Sequence, residues 1–341
     1  MLCIFCGEQR APSLEHVFPL AIGGTVTTDR VCGECNSAIG TRIDAALSDF
    51  FPIRMRRAKL ALAGNKGAPP AWYEMFLGEA KLIGQSADRV QTTFNKATGK
   101  LETRQLYHAA DVVMPDGKKI RQITLDARDK GQIPTIIQRE RKRHGLPPLS
   151  DEELTDAAGT YTTTTVENPL VQRSLSVSFA YLRHAMIKIA YELAFLWLGE
   201  AYLIDPLAIE LRAAICNPDI ASTDKIAGYV GEAESCDVFN KFWIPHEEHH
   251  IAYATILAGK DVVICVRIFD IYAAAVVVSH DPSRYVRDVV GEAKLRFLAI
   301  DSVSGRTINT TFNEESRRIA AAMTTYRRLP PFPDPLTPVA D

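Results

Sequence analysis

The chain has 341 residues, of which 47% are hydrophobic and 23% are charged. This composition excludes an intrinsically disordered chain, and the length is sufficient for at least one sizeable hydrophobic core. The formal net charge of -2 excludes a global positive field, so any binding to nucleic acid must rely on local patches. Because the sequence has no long apolar run and no signal-peptide pattern, we expect a soluble, cytoplasmic protein without membrane contact.

Four of the seven cysteines form two Cys-x-x-Cys pairs near the N-terminus, namely Cys3 with Cys6 and Cys32 with Cys35. Each pair fits a tight turn from which two thiolates reach one ion, so the spacing predicts a four-sulfur zinc site. In a chain without a secretory signal, metal binding explains these cysteines better than disulfides do.

The predicted elements fall on either side of a break rich in Gly and Pro at residues 63–70. Before the break, apolar spacing predicts helical structure over residues 36–60, so the cysteine module is expected to span residues 1–60. The remaining residues, 61–341, are expected to form a larger domain that serves specificity, partner binding or regulation.

Within that larger domain, β-branched residues around turn sequences predict hairpins at residues 89–105 and 112–125. Apolar residues at three- and four-residue steps predict a long core helix over residues 176–202. Three β-rich segments with short turns between them predict an antiparallel meander at residues 252–257, 262–269 and 273–278. The chain as a whole is therefore expected to have an α+β fold.

A polar motif lies between the two cysteine pairs: Ser13-Leu14-Glu15-His16-Val17-Phe18-Pro19-Leu20, then Gly23-Gly24, with Asn36 directly after the last cysteine. As a set, these pieces resemble the HNH endonucleases, also called ββα-metal nucleases. The resemblance is greatest to the zinc-stabilised subset that includes endonuclease VII. It covers roughly the first fifty residues and leaves the rest of the chain unexplained.

The resemblance implies a treble-clef-like ββα fold, with Glu15 and His16 on the first strand of a hairpin and Asn36 at the start of the next helix. Cys3, Cys6, Cys32 and Cys35 would bind a structural Zn²⁺. Glu15 and Asn36 would hold one catalytic divalent ion, Mg²⁺ or Mn²⁺, because both offer hard oxygen ligands. His16 would be the general base, since a neutral imidazole accepts a proton near neutral pH.

Several assignments around this motif stay open at the level of sequence. Thr27, Thr28, Asp29 or a backbone carbonyl would orient His16. Asp44 lies two helical turns after Asn36 and is expected to have a structural or solvent-exposed role. Two groups of basic residues are candidates for phosphate contacts. The first lies near the module and consists of Arg42, Arg54, Arg56, Arg57 and Lys59. The second lies further along the chain and consists of Arg139, Arg141, Lys142 and Arg143. The sequence His246-Glu247-Glu248-His249-His250 is expected to be a polar loop.

The expected function is a metal-dependent endonuclease that hydrolyses phosphodiester bonds, with DNA as the expected nucleic acid. The alternative is a non-catalytic zinc-binding module that binds nucleic acid or protein. A third hypothesis is that the module is vestigial and the C-terminal domain carries the activity. That domain is also where a protein partner or a homodimer contact is expected.

Overall fold

The computed structural model describes residues 1–64, 67–83, 89–159, 161–166, 169–174, 178–217, 219, 228–232, 247–285 and 295–326. The chain divides into two compact units, Met1–Trp72 with Val177–Asp341, and Tyr73–Ser176. Helices and antiparallel strands are present in both units, which confirms the α+β fold class. None of the helices in the described ranges is long and apolar enough to cross a membrane.

The N-terminal segment has the predicted ββα order. Strands β1 (Pro12–His16) and β2 (Thr27–Cys32) form an antiparallel hairpin, and helix α1 (Gly33–Ile39) follows directly. A π-helical turn, Gly40–Asp44, leads into α2 (Ala45–Asp49) and α3 (Phe51–Lys59). Between the strands, a Cβ at Gly24 would lie 1.9 Å from the carbonyl oxygen of Phe18, so only glycine fits this position.

The second unit is built mainly from short antiparallel strands. Its elements are β3 (Gly78–Leu82), β4 (Arg89–Asn95), β5 (Lys100–Gln105), β6 (His108–Val113), β7 (Lys119–Thr124), α4 (Ile133–Arg143), α5 (Asp151–Gly159) and β8 (Val171–Gln172). The pairs β4–β5 and β6–β7 confirm the two predicted hairpins.

The first unit is completed by helices packed against a six-stranded antiparallel sheet. Its elements are α6 (Phe179–Leu198), α7 (Pro206–Cys216), β9 (Gly228–Glu232), β10 (His249–Leu257), β11 (Asp261–Ile268), β12 (Tyr272–Ser279), β13 (Arg296–Asp301), β14 (Thr307–Thr311) and α8 (Phe312–Tyr326). The sheet order is β14-β13-β10-β11-β12-β9. Both the long core helix, α6, and the meander β10–β11–β12 are confirmed.

One hydrophobic core joins the N-terminal segment to the rest of the first unit. It contains Ile4 and Phe18 from the segment, Leu182 and Tyr191 from α6, and Ile264 from β11, all of which are 0% exposed. The expected division into residues 1–60 and 61–341 differs from this arrangement. A segment of that size buries too little surface by itself, and here α6 covers its apolar side.

Candidate active site

Four cysteines converge at the base of the β1–β2 hairpin. The ligand atoms of Cys3, Cys6, Cys32 and Cys35 lie within 4.8 Å of one another, and the Sγ atoms of Cys6 and Cys32 are 4.0 Å apart. A tetrahedral ion with Zn–S bonds of about 2.3 Å needs sulfur atoms about 3.8 Å apart. The four side chains can therefore hold one metal ion, and their geometry is consistent with the predicted structural zinc.

Backbone N–H groups favour the thiolate form of one of these cysteines. The amide of Cys32 donates to Cys3 Sγ at 3.4 Å. Burial raises the pKa of the Cys3 thiol, but the N–H groups of Cys6, Cys32 and Phe5 outweigh burial and lower it to about 7. Because the thiolate is the form that binds a metal, these backbone N–H groups favour metal binding by Cys3.

The hairpin presents Glu15 and His16 in different surroundings. In the strand register Glu15 pairs with Thr28, and His16 pairs with Thr27. Adjacent residues of a strand point to opposite faces, and here the Glu15 side chain is 2% exposed while His16 is half-buried. The imidazole thus lies at the accessible side of β1, whereas the carboxylate points into the core.

Lys188 of α6 meets the buried carboxylate of Glu15. Its Nζ lies 2.5 Å from Glu15 Oε1, 3.2 Å from Glu192 Oε2 and 3.4 Å from Asp44 Oδ1. The same ammonium donates to the carbonyl oxygen of His16 at 2.8 Å. We call Glu15, Asp44, Lys188 and Glu192 the ion cluster; it joins β1, the π-helical turn and α6.

The charges within the ion cluster depend on burial and on mutual contacts. Burial raises the pKa of Glu15, Asp44 and Glu192, and the positive charge of Lys188 opposes this rise in each. Burial lowers the pKa of Lys188, but the three carboxylates raise it above its ordinary value. Lys188 is therefore charged at neutral pH, and burial raises the pKa of Glu192 well above its ordinary value despite the opposing charge of Lys188.

His16 has the protonation state that a general base requires. Burial lowers the pKa of its imidazole, the charge of Lys188 lowers it further, and Asp44 opposes both. A pKa below the ordinary value keeps the ring neutral at neutral pH, so one ring nitrogen is able to accept a proton.

Asn36 is engaged by β1 rather than by Glu15. Its Nδ2 donates to the carbonyl oxygen of Leu14 at 2.7 Å and to Ser13 Oγ at 3.1 Å. These two hydrogen bonds fasten the start of α1 to the strand. The structure thus brings the four cysteines together, but it gives Glu15 and Asn36 different partners.

A divalent ion bound through Glu15 Oε1 does not fit this arrangement. Mg²⁺ binds oxygen at about 2.1 Å, so an ion on Glu15 Oε1 would lie no more than about 4.6 Å from Lys188 Nζ. Two cations at that distance repel each other strongly in a buried site. The Glu15 carboxylate is already neutralised, and we derive no catalytic step through such an ion.

The sequence contains one signal for the ion cluster, two charged residues in an otherwise apolar helix. Lys188 and Glu192 are charged residues one turn apart within the otherwise apolar stretch of α6, and both are 0% exposed. Charged side chains are rarely buried unless they are paired, so they indicate partners elsewhere in the chain. Asp44 has the expected structural role, with its carboxylate directed at Lys188.

Three of the five basic residues near the module, Arg42, Arg56 and Arg57, bind protein groups, whereas the Lys59 side chain is 62% exposed. Arg42 donates to Ile215 O at 2.8 Å, and the Arg57 side chain is 8% exposed and donates to the carbonyl oxygens of Ala21 and Ser48. Arg56 forms an ion pair with Asp270 at 2.6 Å, and Lys59 pairs with Glu247 at 2.5 Å. These contacts tie α3 and the π-helical turn to the rest of the unit, so they argue against a phosphate-binding patch here.

The histidine-rich segment is not a polar loop where the structure describes it. His249 and His250 begin β10, and both are buried. His250 Nε2 lies 2.7 Å from Ile22 O, and the ring stacks on Phe18 with centroids 5.3 Å apart. The expectation of a polar loop is wrong for these two residues, because strand pairing buries them against the hairpin. His246 lies outside the described residues.

Residues 3–52 match the family model of the HNH endonucleases. This segment contains all the site residues predicted from the sequence, and the match confirms that the chain carries an N-terminal HNH domain. The match does not separate subsets of the family, so the likeness to endonuclease VII stays a prediction. Comparisons with curated proteins and with solved structures give no significant match.

Proposed function

We propose that this protein is an endonuclease whose HNH domain hydrolyses phosphodiester bonds in nucleic acid, with DNA as the first candidate. The observation that carries the proposal is the state of His16. It lies half-buried on the accessible side of a cysteine-stapled strand, with its pKa lowered, in the segment that matches the HNH family. A neutral imidazole so placed suits a general base.

In the proposed reaction, His16 accepts a proton from a water molecule as the water oxygen attacks phosphorus. The bond between phosphorus and the leaving sugar oxygen then breaks, that oxygen takes up a proton from solvent, and His16 returns its proton to solvent. Zinc on Cys3, Cys6, Cys32 and Cys35 supplies no chemistry in this scheme; when bound, it fixes the hairpin against α1. The predicted Mg²⁺ or Mn²⁺ is not part of the scheme, because an ion on Glu15 Oε1 would lie beside the ammonium of Lys188.

One observation favours the rival function, a zinc-binding module that binds nucleic acid or protein without cutting it. Glu15, the acidic residue of the motif, is 2% exposed and bonded to Lys188, so it is not presented to a substrate. In this rival, the segment retains the HNH architecture only as a scaffold.

The test compares wild type, His16→Ala and His280→Ala on supercoiled plasmid, short DNA duplexes and short RNA duplexes, with and without added Mg²⁺ or Mn²⁺. His280 is a matched control because it is exposed and pairs with Asp261 at 2.8 Å, outside the hairpin. We expect His16→Ala to lower the cleavage rate by roughly 10²- to 10⁴-fold while the control keeps the wild-type rate.

Zinc content and melting temperature are measured for each variant, so that a loss of folding is not mistaken for a loss of catalysis. A single centre per chain cuts one strand per encounter, so nicked circles should precede linear plasmid. Equal cleavage by wild type and His16→Ala, with zinc retained in both, would overturn the proposal. Binding of nucleic acid without cleavage in all three proteins would establish the rival.

A further inference from the structure

The ion cluster places a lysine on Glu15, one of the two residues that the resemblance to HNH nucleases implies as ligands of a catalytic metal ion. We propose that Lys188 takes the place of that ion, so that an ammonium group of α6 neutralises Glu15 and fixes the strand that carries His16. Lys188 and Glu15 are then positioning residues. The consequence for cleavage rests on the proposed function, whereas the consequence for metal binding does not.

The hydrogen bonds of Lys188 satisfy its ammonium group. An ammonium has three N–H donors, and here Glu15 Oε1 accepts at 2.5 Å and His16 O at 2.8 Å. The third donor reaches Val17 O at 3.4 Å, while Glu192 Oε2 at 3.2 Å and Asp44 Oδ1 at 3.4 Å make ion pairs with the ammonium. Two of these partners are backbone carbonyls of the strand end, so Lys188 holds the main chain at His16 directly.

The three carboxyl groups of the ion cluster surround the ammonium of Lys188, so they leave no vacant position between them for a metal ion. Among the described residues, the four cysteines are the group of three or more His, Cys, Asp or Glu side chains whose ligand atoms lie close enough together for a metal ion. Glu15, Asp44 and Glu192 each face Lys188, so a divalent ion would first have to displace its ammonium. Since Lys188 is 0% exposed and enclosed by three elements, that displacement would require local opening of the core.

The position of Lys188 on α6 gives the cluster its rigidity. Lys188 and Glu192 are one turn apart on a 20-residue helix that is buried along its centre, and the 0% exposure of both side chains leaves the ammonium little room to move. A buried charge is retained only with good partners, and removing one partner leaves the other charge uncompensated. Removing the ammonium alone leaves three carboxyl groups uncompensated around a vacated position, and a divalent cation that draws their oxygen atoms together would restore the balance of charge there.

The experiment measures Mn²⁺ binding by electron paramagnetic resonance on zinc-loaded, full-length protein. The variants are wild type, Glu15→Gln, Lys188→Met and the double variant Lys188→Met/Glu15→Gln. Methionine keeps much of the length of lysine without its charge. We expect wild type to bind Mn²⁺ no better than Glu15→Gln, and Lys188→Met to bind it at least tenfold more tightly than wild type. The double variant should lose that gain.

A wild-type protein that binds one Mn²⁺ per chain, with the binding lost in Glu15→Gln, would overturn the proposal. That comparison needs no Lys188 variant, so the proposal stays falsifiable even if Lys188→Met does not fold. For cleavage, we expect the wild-type rate to change less than twofold when free Mg²⁺ and Mn²⁺ are removed while zinc is retained. Absence of cleavage under every condition would count against the proposed function and leave the Mn²⁺ result to decide the role of Lys188.

Discussion

At the scale of single residues, Asn36 is a candidate for two roles, fastening α1 to β1 and binding a metal ion. The resemblance implies a ligand, but the side chain uses its amide N–H groups as donors to Leu14 O and Ser13 Oγ. A carboxylate in its place would keep an oxygen ligand and lose both donors. Asn36→Asp therefore tests whether the amide donors or an oxygen ligand matters more at this position.

We expect Asn36→Asp to be at least as unstable as Asn36→Ala, because its carboxylate would face the carbonyl oxygen of Leu14 without a donor. Loss of the two hydrogen bonds should cost about 1–3 kcal/mol in the free energy of unfolding. Urea unfolding of the zinc-loaded variants, followed by circular dichroism, measures this cost. Asn36→Asp that is more stable than Asn36→Ala, or that regains cleavage with added Mg²⁺, would restore the ligand role.

At the scale of elements, the sequence predicts what local pattern determines and misses what packing determines. The hairpins β4–β5 and β6–β7 and the helix α6 follow from turn residues and apolar spacing, so they are predictable. The contact of Lys188 with Glu15 joins residues 173 positions apart, and the charged residues in the apolar stretch of α6 indicate a partner without identifying it. Cysteine spacing is the exception, because a shared metal ion relates distant residues by a recognisable pattern.

The contact between β10 and the hairpin makes stability depend on pH through His250. Its Nε2 donates to Ile22 O and its Nδ1 accepts the Phe269 amide at 3.3 Å, which requires the neutral ring. Burial lowers the pKa of His250 to about 4, against the opposing bond to Ile22. The unfolded state then binds more protons between pH 6.5 and 4, so this contribution is present above about pH 6.5 and is lost as pH falls towards 4.

We expect His250→Gln to be less stable than wild type at pH 7.5 but also less sensitive to acid. Between pH 7.5 and pH 5.0, the loss in free energy of unfolding should be smaller in His250→Gln by about 2 kcal/mol. Urea unfolding of both proteins at the two pH values measures the difference. Other groups that titrate in this range, including the cysteines, are common to both proteins. Equal acid sensitivity would show that His250 does not carry this dependence.

At the scale of the whole molecule, the HNH domain and α6 form one structural unit. Tyr191 Oη donates to Ile4 O at 2.6 Å in the cysteine turn, and Lys188 bonds the end of β1. Both side chains are 0% exposed, so α6 depends on the N-terminal segment for the partners of its polar groups. A domain boundary placed at the Gly- and Pro-rich residues 63–70 misses this dependence. Local composition indicates where regular structure is interrupted, but it does not indicate which segments share a hydrophobic core.

This shared core predicts that removing zinc affects α6 as well as the cysteine turns. Without the ion, the turn that carries Ile4 loses its constraint, and the partners of Tyr191 and Lys188 become less ordered. We expect a zinc chelator to raise amide hydrogen exchange in α6 together with residues 1–60, measured by mass spectrometry. The β4–β5 hairpin of the second unit contains no zinc ligand and is the internal control, with unchanged exchange. Loss of protection confined to residues 1–60 would instead show that the module folds and unfolds independently, as the sequence alone suggests.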